Sequence, residues 1–192
     1  AHPERCWSPS RGDAYDGPMV NLSADPRTAD KQMRAILFYL TTFGHIDGEF
    51  DLSEKTFVRN YVEQLVTHRV TTSAGGLSEG ERSGLVRKYT AHFHEVFDTI
   101  DLEVKELFTE AVAHDEEQDA FVHARLKLRC FEIFQSFDAK AQEQLMESID
   151  HLLMSDGEAH PAELKFRAEL SELLEADLDV ELLEELPRAR IG

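Results

Sequence analysis

The chain has 192 residues, of which 42% are apolar, enough for one domain with a substantial core. Its 38 acidic residues outnumber its 20 basic ones, a net charge of -18. A field of that sign repels phosphate backbones and anionic membrane surfaces, which excludes nucleic acid as an expected partner and leaves cations or a basic protein.

Residues 1 to 25 read as a poorly ordered lead-in, punctuated by Pro3, Pro9, Gly12, Gly17 and Pro18 and without apolar period. A single all-α domain is expected over 26–186, with 187–192 as a tail or the start of a linker. Met33, Ile36, Leu37, Leu40 and Phe43 recur at helical spacing, and Phe57, Tyr61 and Leu65 stripe a second helix. Thr71 to Gly76 reads as a small-residue linker. Ser78 and Glu81 then form a capping box.

From Val86 to Val112 the helical period runs without Gly or Pro, as one helix of about 50 Å or as two meeting near Asp98–Asp101. Val122, Leu126, Cys130, Ile133, Phe134 and Phe137 stripe the next helix, and Asp138 caps the one after it. Pro161 stands at a first helical position, ahead of Phe166, Leu170 and Leu174, and a short acidic helix is expected over 179–186. No segment has a β period. The expected fold is an all-α bundle of about six to eight helices. No run approaches the roughly 20 apolar residues a membrane span needs, so no membrane insertion is expected. Cys6 and Cys130 fit neither a metal site nor a disulfide framework, and a reducing, cytoplasmic setting follows.

One hairpin occurs twice. An apolar helix leads to Asp47-Gly48-Glu49, then to Asp51, Glu54 and Phe57; another leads to Asp156-Gly157-Glu158, then to His160, Glu163 and Phe166. A constant offset aligns the two, which predicts two similar helix-hairpin halves packed about a pseudo-two-fold axis, with both phenylalanines in the core. Asp-Gly is good turn chemistry, and Asp51 with Glu54 makes a capping box. His160 is a poor cap by type, yet Glu163 keeps its place. Oxygen ligands from Asp47, Glu49, Asp51 and Glu54, and from Asp156, Glu158 and Glu163, joined by helix-end carbonyls, would also suit Ca²⁺ or Mg²⁺. This is not an EF-hand loop, because Leu52 stands where its glycine belongs and Val58 where its glutamate belongs.

The histidines offer a weaker alternative. His114-Asp115 at a helix end matches the paired ligands of an HD-type helical phosphohydrolase, which would need His92 or His94 and a distant acid such as Asp150. His114 interacting with a helix C-terminus explains the same residues. No nucleophile elbow, Gly-rich phosphate loop or zinc signature is present.

The duplicated Asp-Gly-x-(x)₄-Glu hairpins, the second above all (Met154-Ser-Asp-Gly-Glu-Ala-His-Pro-Ala-Glu-Leu-Lys-Phe166), resemble the TerB-like domains of bacterial tellurite-resistance and stress proteins. The resemblance spans residues 30 to 175 and implies an all-α fold with two similar halves. It also implies divalent-cation binding, and the family's acidic pairs fall on Asp47 with Glu54 and on Asp156 with Glu163. Phe50 and Asp51 depart from Ala159 and His160 of the second copy. The expectation is a non-enzymatic, stress-associated module that binds a divalent cation, a protein partner or both through its acidic turns. The alternatives are the HD-type enzyme and a purely structural interaction domain of a larger enzyme.

Overall fold

Asp25 begins the first helix: its carboxylate accepts from the Thr28 backbone N–H at 2.8 Å, and Pro26 follows at a position that needs no donor. The computed structural model describes residues 17, 19–46, 48, 50–73, 75–112, 116–155, 157 and 159–185, with only the backbone course for 110–112, 116–123 and 176–185. The chain runs α1 (Pro26–Gly44), α2 (Leu52–Ser73), α3 (Glu79–Val112), α4 (Glu116–Gln135), α5 (Ala139–Leu153) and α6 (Pro161–Glu185). The fold is all-α, with six helices and no strand among the described residues. No helix among them is long and apolar enough to cross a membrane.

α1 is the centre of the bundle and packs against each of the other five helices. Its Met33, Ile36, Leu37, Tyr39, Leu40 and Phe43 are fully buried, and residues on nearly every side of its last two turns lack solvent. Tyr39 sets its ring edge-on to Phe43 at 5.1 Å and to Phe134 of α4 at 4.7 Å. Phe43 meets Phe166 of α6 edge-on at 5.0 Å. Each such side chain contributes about 1.5–3 kcal/mol by burial. Phe166 belongs to the core cluster, as expected, whereas Phe57 is only partly buried against it. Cys130 of α4 is completely buried, and burial pushes its thiol up to about 12.

Residues 75–112 resolve the ambiguity over Asp98–Asp101, since α3 is a single 34-residue helix. The Ser78–Glu81 box opens it, with Ser78 N–H and Oγ both donating to Glu81 at 2.9 and 2.7 Å. Asp138 caps α5 through the Ala141 N–H at 2.8 Å. α2 outlasts its expected end. Thr67, Thr71 and Thr72 each turn their hydroxyl onto the carbonyl four residues back, so small polar residues continue the helix to Ser73. The acidic helix expected near 179 is the last part of α6, because no Gly or Pro interrupts the chain between Pro161 and Pro187. Before α1, Val20 is buried in the core, and the Ser23 N–H donates to Gln32 Oε1 at 2.7 Å.

Candidate functional site

The first acidic turn starts where α1 runs out of partners. His45 N–H reaches back to the carbonyls of Thr41 and Thr42 at 3.2 Å, Ile46 N–H to Phe43, and Gly48 N–H to His45, both at 3.1 Å. Gly48 has φ +93°, a conformation only glycine adopts without strain. The chain then enters α2 through a reciprocal box: Glu54 Oε2 accepts from the Asp51 N–H, and Asp51 Oδ1 from the Glu54 N–H, each at 2.9 Å.

The second turn repeats this at equivalent residues. Ser155 N–H bonds Leu152 at 2.9 Å and Gly157 N–H bonds Met154 at 3.1 Å, with Gly157 at φ +95°. Glu163 Oε2 accepts from the His160 N–H at 2.7 Å, as Glu54 does in the first copy. His160 proves an adequate cap after all: its Nδ1 accepts from the Ala162 N–H at 3.3 Å. Lys55 N–H to Asp51 and Leu164 N–H to His160, both 3.1 Å, complete the correspondence.

The predicted ligands divide accordingly. Among the described residues, Asp51 and Glu54 come together at one turn and Glu163 lies at the other. Glu54 and Glu163 are buried, at 7% and 3% exposure, with one oxygen each committed to a helix start. Asp47, Glu49, Asp156 and Glu158 lie outside the described residues. Among the described residues no three His, Cys, Asp or Glu side chains converge to hold a metal ion. His114 and Asp115 also lie outside the described residues. Their proposed helpers are dispersed: His92 faces Asp30 at 3.8 Å, His94 Nε2 pairs with the Arg59 carbonyl at 3.2 Å, and Asp150 holds Arg167 in a two-pronged ion pair.

The two copies exchange bulk beneath the turn. A Cβ on Gly44 would fall 2.2 Å from the Phe50 ring, so the last residue of α1 must be glycine for that ring to lie there. At the equivalent positions the second copy has Leu153, buried at 3%, and Ala159. Large and small have changed places.

The first turn also carries a polar cluster that sequence reasoning missed. His45 Nε2 pairs with Asp101 Oδ1 of α3 at 2.7 Å, and Lys55 Nζ donates to Asp101 Oδ2 at 2.8 Å. The His45 ring stacks on Phe108 at 6.1 Å and meets Phe50 edge-on at 5.1 Å, while Lys55 sits 5.2 Å over the Phe50 ring. The available signal was Asp101 itself, an acid set into the apolar stripe of Phe97, Val104 and Phe108.

Burial lowers the His45 pKa and outweighs the opposing pull of Asp101. Burial pushes the Asp101 carboxyl up, but hydrogen bonds from Lys55 and His45 and their charges hold it below the usual range. A histidine whose folded pKa is depressed binds fewer protons folded than unfolded. Its contribution is full above the unfolded value of about 6.5 and is lost as pH falls from there toward the folded value. The urea midpoint should therefore drop between pH 7.5 and 5.5, and drop less in His45→Gln, whose amide can still donate to Asp101. Equal drops in the two proteins would mean that His45 does not titrate differently on folding.

No protein-family model, curated protein or solved structure matches the chain. Among the described residues, fold and site together define a bundle of six helices bearing a repeated, glycine-hinged and carboxylate-capped turn.

Proposed function

We propose that this chain is a non-enzymatic, stress-associated module of the TerB-like type, built from two similar hairpin halves. It acts in the cytoplasm and binds a divalent cation, Ca²⁺ or Mg²⁺, a protein partner or both through its paired Asp-Gly-Glu turns. One observation carries this reading: the two turns share three backbone hydrogen bonds, a glutamate that accepts from the N–H three residues before it, and the same positive-φ glycine, in sequences that otherwise differ widely. Caps alone do not need Asp-Gly-Glu at both places, since many residues cap and turn equally well. The edge-on contact of Phe43 before the first turn with Phe166 after the second supports an arrangement in which the halves pack on each other. A net charge of -18 favours cations over phosphate-bearing ligands.

A second reading has its own observation. Glu54 and Glu163 already serve helix starts, as a structural interaction domain with no ion would require. Calorimetric titration of chelator-treated protein with Ca²⁺, Mg²⁺, Mn²⁺ and Zn²⁺ separates the two. Saturable heat with Ca²⁺ or Mg²⁺ is expected. Its absence, or a preference for Zn²⁺, leaves the turns as caps.

A further inference from the structure

The duplication is incomplete in one respect. In the first half, α3 lies across α1 and α2, and its Asp101 engages His45 and Lys55 while its Asp98 pairs with Arg59. The residues equivalent to His45, Lys55 and Arg59 are Met154, Leu164 and Ala168. The turn hydrogen bonds and helix starts on either side correspond, so Met154 and Leu164 occupy the positions that His45 and Lys55 hold in the first copy. Among the described residues they remain uncovered: Met154 is 52% exposed, Leu164 48%, and Ala168 is exposed as well. α4 approaches α6 from another side, through Lys127 and Glu169.

We infer that this face of α5 and α6 docks a basic amphipathic helix of a partner protein, seated as α3 is seated on the first half. The charges argue for the sign. α3 brings aspartates to a lysine and an arginine; around Met154 and Leu164 the helix stripes carry Glu143 and Glu147 on α5 and Glu175 on α6. Glu143 and Glu147 stand three and two turns before Met154, and Glu175 three turns after Leu164, on the same faces. Of the cations beside these stripes, Arg167 is taken up by Asp150, Lys165 lies 3.9 Å from Glu169, and Lys140 stands a turn beyond Glu143, so acids still predominate on both helices. An apolar centre with acidic flanks fits a helix with an apolar anchor between lysines or arginines. A second copy of this chain would oppose its own charge of -18. The inference shares the duplicated hairpin with the proposed function but does not require a bound cation.

The test uses the full chain, chelator present, and a synthetic helical peptide of about 18 residues with leucine on one face and lysine on the other. Fluorescence anisotropy at about 150 mM salt should show saturable binding, with little for the matching leucine–glutamate peptide. Met154→Gln with Leu164→Gln leaves the net charge unchanged and should weaken binding about tenfold, near 1.4 kcal/mol. In protein labelled at its methionine methyls, Met154 should shift on binding while the buried Met33 does not. Binding that survives the double substitution is general attraction to an acidic protein, and the docking surface is then wrong. So it is if both peptides bind alike, if no peptide binds, or if the wild type instead self-associates. Loss of peptide binding alone, with the Ca²⁺ or Mg²⁺ heat intact, removes the docking surface and leaves the cation reading standing.

Discussion

Gly44→Leu is expected to destabilise the protein by about 3 kcal/mol, the upper part of the range for forcing extra bulk into a packed core. Even the first added carbon would lie 2.2 Å from the Phe50 ring, and that ring is held between His45 and Phe97 with Lys55 above it. Phe50→Ala alone should cost a similar amount, about 3 kcal/mol, through the cavity it leaves. The informative variant is the pair. Gly44→Leu with Phe50→Ala installs the arrangement of Leu153 and Ala159 in the other half, so the leucine fills the space the ring vacates. The double variant should lie within about 1.5 kcal/mol of the wild type, as volume-conserving exchanges do. Guanidinium unfolding followed by far-ultraviolet circular dichroism measures all four proteins. If the double variant is as unstable as the two single costs added together, the positions are not exchanging bulk, and the halves are less alike than their backbones imply.

The second large effect concerns the ion. Chelator-treated protein given Ca²⁺ or Mg²⁺ at about 100 times its dissociation constant should gain roughly 2.7 kcal/mol. For a chain of this length that corresponds to about 5–10 °C in Tm. On the proposed reading, carboxylates gathered at the two turns would repel one another, and a divalent ion would relieve what a monovalent one only screens. Matched ionic strength in NaCl should therefore give much less. Asp47→Asn with Asp156→Asn should abolish the divalent gain while leaving the helices formed, because asparagine remains a good turn residue. A double variant that keeps the full Ca²⁺ shift would remove these turns from consideration and reduce Glu54 and Glu163 to caps.

What could be read in advance followed from the range of each interaction. Caps are local, so Asp138 and the Ser78–Glu81 pair were legible, and apolar period placed α1 and the helical stretch of α3 while leaving open whether α3 was one helix or two. The boundaries that moved did so for equally local reasons that composition hides: the threonines of α2 feed their hydroxyls back into the helix. The partnership of His45 with Asp101 lay beyond reach, since it joins residues far apart in sequence through a helix crossing that no periodicity encodes. Phe50 and Ala159 were visible as a mismatch between copies. The compensating mismatch of Gly44 and Leu153 gained meaning only once the ring was seen lying over the glycine. The acidic turns were legible as turns; the capping of α6 by His160 was not, because imidazole seldom serves there.

The burial of Cys130 gives the protein a clock. Alkylating reagents attack thiolate, and a thiol pushed up to about 12 and sealed between α4 and α1 offers almost none while the bundle is closed. Modification then waits for an opening event, and its rate counts how often the α1–α4 seam parts. In a Cys6→Ser background Cys130 would be the only thiol in the chain. The same measurement, repeated with and without Ca²⁺ or with the peptide bound, would convert each ligand's effect on the whole fold into a frequency of breathing at its centre.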